Sequence, residues 1–179
     1  MTDGLVLSAG EGRKIRTSGM MLKLGADRSK KWSMFEAEVT PGFDVGAHLH
    51  REAEELFYIL DGELDLLAFE PRIRTKGDWR TWESKSGGKV VRGGPGSAMF
   101  VPAGCPHAFT NPGTTTARML FLVSPSGLEH YLDELGELLG SRGPPDEAAI
   151  VKLRARHDIE QLTPVIPGRA SGPPGRPPV

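Results

Sequence analysis

The sequence predicts an all-β fold, and three observations support this expectation. The 179-residue chain has 23 glycines and 15 prolines, about one residue in five, against roughly 12% in average proteins. Both residues are poor helix formers, which argues against a helical bundle. Short apolar runs recur between turn residues, and a chain of this length is typical of one domain. We therefore expect a single barrel or sandwich of short strands.

The first expected elements are an N-terminal arm and the opening strand of the barrel. Residues 1–30 mix short apolar pieces with glycines and charges, so we expect one or two edge strands there. The barrel itself is expected over residues 31–125. From Lys31 to Val39 apolar and polar residues alternate, which predicts a half-buried strand. The turn residues Thr40-Pro41-Gly42 end it.

The middle of the chain contains further strand-like runs separated by turns. Two runs, 55–61 and 62–69, meet at Asp61-Gly62, a dipeptide that favours a turn. Three more runs cover residues 97–102, 105–110 and 116–124. Short strands at this spacing are typical of a barrel or a sandwich.

A polar and charged excursion, residues 70–95, separates those two groups of strands and contains Trp79 and Trp82. Excursions of this length in compact domains are often functional. Three interpretations of the two tryptophans stay open. They form a lid over the barrel mouth, a contact between subunits, or a cover for the sheet.

The C-terminal extension, residues 126–163, is expected to be helical. Leucines recur at helical spacing between Leu128 and Leu139, with Ser126 as the expected cap and Gly140 as the end of the helix. A second helix is expected after Pro145-Asp146 and runs to about Arg156. Its expected buried residues are Ala149, Ile150 and Leu153.

The chain ends in a tail, residues 164–179, in which 9 of 16 residues are glycine or proline. This composition argues against packed secondary structure. We expect the tail either to move freely in solution or to lie along a neighbouring subunit as an extended strand.

The charge balance and the cysteine count exclude several classes of protein. With 22 basic and 23 acidic residues, the net charge of −1 offers no basic excess for phosphate contacts to nucleic acid. The single cysteine, Cys105, excludes an internal disulfide framework and a cysteine-based zinc site. The N-terminus shows no secretory signal, and no apolar run is long enough to span a membrane. We expect a cytoplasmic protein without nucleic-acid or membrane partners.

The residues that can carry chemistry lie in two short segments, 42–62 and 96–111. His48 and His50 are two residues apart, so in a strand their rings project from the same face. Glu55 begins the next alternating run, and the second segment supplies His107. Three imidazoles and one carboxylate facing a barrel interior suit one divalent transition metal, with Fe, Mn, Ni, Co and Zn all open. Burying these groups together without a metal is costly.

Both segments carry the spacing of the two cupin motifs. The first motif is matched by Gly42, His48, His50, Glu55 and Gly62, and the second by Gly96, Pro102, Gly104, His107 and Asn111. All ten fixed positions agree in residue type and in spacing. Over residues 32–125 the sequence therefore resembles the cupin superfamily. The resemblance implies a double-stranded β-helix, or jelly-roll, barrel in which His48, His50, Glu55 and His107 are the metal ligands.

The neighbouring polar residues offer alternatives to this ligand set. Glu54 also fits the shorter gap that the motif allows, but its partner glycine then falls at Asp61, so Glu55 is favoured. Glu52 is expected to face solvent. Cys105 lies in a turn and is expected to be inert rather than a ligand or nucleophile.

Two further histidines, His130 on the first helix and His157 in a charged stretch, are expected on the surface. The C-terminal segments that contain them resemble the helical tail of cupins similar to quercetin 2,3-dioxygenase. This resemblance implies dioxygenation as a reaction class.

The leading hypothesis is a metal-dependent dioxygenase that acts on a small aromatic or enolisable, flavonol-like compound, with Glu55 as the catalytic base. Its expected apolar pocket consists of Phe35, Phe57, Phe100, Phe109, Met119 and Phe121. One alternative is a Zn-type enzyme that catalyses cyclisation, isomerisation or decarboxylation without redox chemistry. Another is a small-molecule binding or sensing module without turnover. By resemblance to cupins we also expect a homodimer.

Overall fold

A computed structural model describes residues 3–16, 19–140 and 146–168. Its strands are β1 (Arg13–Lys14), β2 (Met20–Leu24), β3 (Ser33–Val39), β4 (His48–Leu49), β5 (Glu54–Asp61), β6 (Leu64–Ala68), β7 (Val91–Gly93), β8 (Ala98–Val101), β9 (His107–Thr110), β10 (Ala117–Ser124) and β11 (Glu160–Gln161). Its helices are α1 (Leu128–Leu139) and α2 (Glu147–Arg156), and a single 3₁₀ turn covers Trp79–Thr81.

The strands form two antiparallel sheets that enclose one core. The first sheet has the order β1-β2-β3-β10-β5-β8 and the second β11-β4-β9-β6-β7. Because consecutive strands such as β5 and β6 lie in different sheets, the chain passes repeatedly from one layer to the other, as in a jelly-roll. The predicted all-β barrel with C-terminal helices is confirmed.

The core follows from the alternation of apolar residues along the central strands. In β3 the side chains of Phe35, Ala37 and Val39 are buried while those between them are not. The pairing of β3 with β10 places Phe35 opposite Phe121, and their rings stack with centroids 4.6 Å apart. These side chains belong to the first sheet, and they share one hydrophobic core with side chains of the second sheet such as Phe109.

The direction of the chain changes at Asp61-Gly62, where a turn is predicted. This turn leads from β5 in one sheet to β6 in the other. Gly62 has a φ of +76°, and a Cβ on it would lie 2.7 Å from the Cβ of Ala117. Only glycine combines this conformation with such a close approach.

The 70–95 excursion packs against the outer face of the second sheet. Trp79 and Trp82 are buried there with Leu67 and Ala108, whose side chains point away from the barrel interior. The indole Nε1 of Trp79 donates a hydrogen bond of 2.8 Å to Oδ1 of Asp44. The tryptophans therefore cover the sheet, and the structure does not place them as a lid over the barrel mouth.

Helix α1 spans the predicted residues, but its start differs from the expected one. Its N-cap is Gly127, without a side-chain cap, whereas Ser126 was the expected cap. The Gly127 N–H instead donates to Oγ of Ser33, at 3.0 Å. No helix in the described residues is long and apolar enough to cross a membrane.

A buried carboxylate joins α1 to the barrel. Glu129 is only 3% exposed. Its Oε2 accepts a hydrogen bond from Oγ of Ser33 and its Oε1 accepts one from the Ala26 N–H, both at 2.6 Å. Burial raises the pKa of Glu129, but these hydrogen bonds outweigh burial and lower the pKa below its usual value.

Helix α2 begins at the predicted place, where Oδ1 of Asp146 caps it by accepting from the Ala149 N–H. Of its expected buried residues only Leu153 is fully buried; Ala149 and Ile150 are half-buried because the helix contacts the protein along a narrow stripe. After it, β11 pairs with β4.

The start of the tail contacts its own chain. Ile166 forms a two-way backbone pair with Asp44, with N–O distances of 2.8 and 2.9 Å. Residues 164–168 therefore extend along the barrel of their own chain, which differs from the two expectations of free movement in solution and of pairing with a neighbouring subunit. Residues 169–179 lie outside the described part of the chain.

Removing the Glu129 carboxylate is expected to destabilise the protein. We expect Glu129→Ala to lower the free energy of unfolding by about 2 kcal/mol, because the buried Ser33 hydroxyl and the half-buried Ala26 N–H lose their acceptor. Urea denaturation measures this change, with Glu137→Ala, an exposed residue of the same helix, as the control.

The difference in stability between the wild type and Glu129→Ala is expected to depend on pH. Because the pKa of Glu129 is lowered on folding, the stabilisation of the folded state by this carboxylate is complete above the unfolded pKa, about 4.3. It declines as the pH falls from there through the folded pKa. A stability difference that does not shrink in acid would contradict this assignment.

Candidate metal centre

The structure brings four of the predicted side chains together between the two sheets. His48 lies on β4, His50 just after it, Glu55 on β5 and His107 on β9. One donor atom from each lies within 4.8 Å of those of the others. His50, Glu55 and His107 are buried and His48 is half-buried.

Strand pairing explains why these side chains meet. His48 and His107 are directly opposite each other in the β4–β9 pair, so their rings share the inner face of the second sheet. Their centroids are 4.1 Å apart. Glu55 comes from the first sheet, where it pairs with Val101 and Val123 and points across the barrel. The cluster therefore joins the two layers.

Backbone carbonyls set the orientation of two imidazoles. Nδ1 of His48 is 2.9 Å from the Gly46 oxygen, and Nδ1 of His107 is 3.1 Å from the Cys105 oxygen. A carbonyl can only accept, so each Nδ1 carries the proton and each Nε2 presents a lone pair to the cluster. Metal-binding histidines in proteins are commonly oriented in this way.

Glu55 and His107 leave buried polar atoms unsatisfied. Oε2 of Glu55 and Nε2 of His107 are 2.8 Å apart. Their alignment does not make a hydrogen bond, so both atoms lack one among the described residues. Oε1 of Glu55 lies 3.5 Å from Nε2 of His50. A cation bound by both atoms would satisfy the buried Oε2 of Glu55 and Nε2 of His107.

The protonation states of the cluster suit a cation. Burial is the largest influence on the pKa of Glu55 and raises it, but the nearby imidazoles outweigh burial and lower this pKa to about 2. Burial and the neighbouring imidazoles lower the pKa of His48 well below its usual value, and burial also lowers that of His50. At neutral pH these shifts favour an ionised Glu55 and uncharged imidazoles at His48 and His50, the forms that bind metals.

Three imidazole nitrogens and one carboxylate oxygen fit a divalent first-row transition metal. Ligand bonds to such ions are about 2.0–2.2 Å, so two donors on one ion lie at most ~4.4 Å apart. The observed limit of 4.8 Å is close to this value. His48, His50, Glu55 and His107 are thus the residues that could hold the ion.

The other candidate side chains do not belong to the cluster. Glu54 and Glu52 are exposed, so Glu55 is the carboxylate that reaches the cluster. Cys105 is half-buried, and burial raises the pKa of its thiol, which disfavours the reactive thiolate. His130 is exposed as expected. His157 is not a free surface residue, because its Nε2 lies 2.8 Å from Oε1 of Glu134.

Aromatic rings line one side of the cluster. The ring centroid of Phe57 is 6.2 Å from that of His107, and Phe109 and Phe121 pack on Phe57 at 5.8 and 5.7 Å. Phe35 and Met119 are buried beside them. The expectation that Phe100 lines this pocket is wrong. Its side chain is 57% exposed because its position on β8 points to the outer face of the sheet.

A cleft of about 230 Å³ reaches the cluster at His50. The end of β10, the start of α1 and the turn between α2 and β11 form its walls, with Val123, Pro125, Leu128, His157 and Asp158 among the lining residues. Sequence reasoning missed His157 and Asp158 here, because their only signal was a charged stretch after a helix.

The fold and the site agree with a family match. Residues 22–131 match the family model described as Cupin. The protein therefore belongs to the cupin family. No curated protein is significantly similar to this chain.

The chain is also similar to solved structures at low sequence identity. The polyketide cyclase RemF from Streptomyces resistomycificus is 23% identical, with a TM-score of 0.49, over 70% of this chain and 81% of that one. KdgF from Halomonas sp. is 14% identical, with a TM-score of 0.47, over 67% and 92%. A predicted oxalate decarboxylase from Thermotoga maritima is 23% identical, with a TM-score of 0.44, over 59% and 78%.

Replacing one of the four side chains tests the centre directly. We expect purified protein to bind one divalent transition metal per chain and His107→Gln to lose it, because a buried nitrogen donor is removed. Elemental analysis after dialysis against each metal gives the stoichiometry. His130→Gln, which changes an exposed histidine, is expected to keep the metal. Equal metal content in both variants would contradict the assignment.

Proposed function

We propose that this cupin is a metal-dependent dioxygenase acting on a small enolisable compound. The observation that carries the proposal is the buried contact between Oε2 of Glu55 and Nε2 of His107, which lie 2.8 Å apart and have no hydrogen-bond partner among the described residues. A bound divalent transition metal supplies Lewis acidity there and, for redox-active ions, activation of dioxygen. In dioxygenation both oxygen atoms enter the product and the substrate supplies the electrons, so no external reductant is needed.

Glu55 is the residue that accepts the substrate proton in this proposal. It is the one carboxylate of the cluster, and it is only 3% exposed. A pKa of about 2 makes it a weak base, so efficient transfer requires an acidic substrate proton. An enol next to a carbonyl meets this requirement better than an alcohol does.

The surroundings favour a small substrate. The cleft at His50 has a volume of about 230 Å³, below the roughly 300–1,000 Å³ of pockets for drug-sized ligands. The Phe57, Phe109 and Phe121 rings keep water from the other side of the cluster. These dimensions favour a compound with one ring or none over a complete flavonol.

Oxygen consumption by the metal-loaded protein tests the proposal. We expect uptake with a panel of small enolisable substrates, and a rate at least ~10²-fold lower in Glu55→Gln, because the base is lost. Glu54→Gln, which changes the exposed neighbour, is expected to keep the full rate. Metal content measured on each variant separates loss of the base from loss of the ion.

The remaining outcomes identify the alternatives. Turnover that continues without oxygen contradicts dioxygenation and supports a redox-neutral cyclase, isomerase or decarboxylase. Tight binding without product from the Fe, Mn, Co, Ni and Zn forms supports a binding or sensing module.

We also propose that the protein pairs with a second copy through the outer face of the first sheet. Strand pairing places Phe100, Leu56, Leu122 and Met34 in one row across four strands, with Tyr58 beside them. Phe100, Tyr58 and Trp32 are 57%, 45% and 40% exposed. At about 150–250 Å² per aromatic side chain, this leaves roughly 300 Å² of aromatic surface. That area suits the apolar centre of an interface of about 800 Å² per partner.

Phe100→Asp tests the dimer, because a charge in this apolar row opposes its burial. We expect the wild-type protein to have the mass of a dimer in light scattering after size exclusion, and Phe100→Asp that of a monomer. Ile73→Asp, at a residue 72% exposed in the excursion, is expected to remain dimeric. A monomeric wild type would overturn the proposal.

A further inference from the structure

The strand that carries His48 has a neighbour on each edge. On one edge β9 places His107 opposite His48. On the other edge β11 places Gln161 opposite His48 and Glu160 opposite Leu49. The family match ends at residue 131, so this second neighbour comes from outside it. We name residues 158–163 the C-terminal clasp.

One end of the clasp holds the backbone that orients His48. The carbonyl that fixes the His48 ring belongs to Gly46. A Cβ on Gly46 would lie 2.5 Å from the Thr163 oxygen, so the clasp packs directly on this residue. The N–H of Ala47 donates to Oγ1 of Thr163 at 2.7 Å, and Ala47 accepts from Leu162 at 2.7 Å. The buried Thr163 is therefore fixed against the two residues before His48.

The other end of the clasp holds the loop after His50. Oδ2 of Asp158 accepts a hydrogen bond of 2.8 Å from the Glu52 N–H. Among the described residues, Asp158 is the non-glycine residue with a positive φ, +55°. This conformation is unfavourable for most side chains, and here it directs the carboxylate to the loop. Asp158 and His50 also line the same cleft.

We propose that the C-terminal clasp is the outer support of the metal centre, in which Thr163 positions His48 and Asp158 positions His50. The proposal rests on the metal-binding function proposed above. Both are positioning residues, because neither contributes a donor atom to the cluster. Outer partners of this kind typically change metal affinity by about 10–100-fold.

Titration of the metal-free full-length protein with Co²⁺ tests this role. We expect Asp158→Ala and Thr163→Val to weaken Co²⁺ binding by about 10–100-fold in calorimetry. Asp158→Asn and Thr163→Ser, which keep an oxygen acceptor, are expected to restore most of the affinity. The control is Asp146→Ala, which removes the α2 cap in the same C-terminal extension and is expected to leave the affinity unchanged.

A second measurement does not depend on metal. In long-range ¹H–¹⁵N spectra of the metal-free protein, we expect His48 to carry its proton on Nδ1. Thr163→Val is expected to give a mixture of tautomers, and Asp158→Ala to shift the ring nitrogens of His50. Unfolding midpoints of the metal-free variants show whether Asp146→Ala destabilises the protein as much as Asp158→Ala and Thr163→Val do.

The two measurements separate the two proposals. If the wild type binds no Co²⁺, the proposed function fails, and the ring spectra still decide the role of the clasp. If the clasp variants keep both the wild-type affinity and the wild-type ring spectra, the clasp proposal is overturned.

Discussion

The buried carboxylate of Glu55 is the constraint on which the rest of the structure depends. A charge that is only 3% exposed is costly unless other groups compensate it. Its compensating groups come from the opposite sheet, so the two layers must meet in a register that brings His107 to 2.8 Å. The β4–β9 pair fixes His48 relative to His107, and the β5–β10 pair fixes Glu55 relative to the core. Packing and site geometry are therefore set by the same pairings.

Much of the fold and of the candidate site follows from the sequence. Alternation predicted β3 because this strand buries one face, a short run between turn residues predicted β10, and helical spacing predicted α1. The spacing of His48, His50, Glu55 and His107 predicted the cluster because strand periodicity sets the face of each residue. The same rule separates Glu55, which points inward, from Glu54, which is exposed.

Features that depend on distant partners did not follow from the sequence. The sequence pattern of α1 indicates that Glu129 is exposed to solvent. It is buried because it bonds to Ser33, 96 residues away in the chain. Trp79 can cover either a barrel mouth or a sheet, and the choice depends on Asp44. Buried and exposed residues alternate along β8 as expected for a strand, but whether the face of Phe100 is the inner or the outer one depends on the partner strand. The carbonyls that orient His48 and His107 belong to the backbone and have no residue signature.

The pairing of β4 with β11 also has a consequence for the order of folding. Gln161 faces His48 across more than a hundred residues of chain, so the contact is one of the most non-local in the barrel and carries a large loop-closure cost. A nascent chain contains every residue of the cluster long before it contains this last strand. Until then β4 is an open sheet edge, which can pair with other chains. Synthesis of residues 158–163 therefore both closes that edge and completes the surroundings of the cluster.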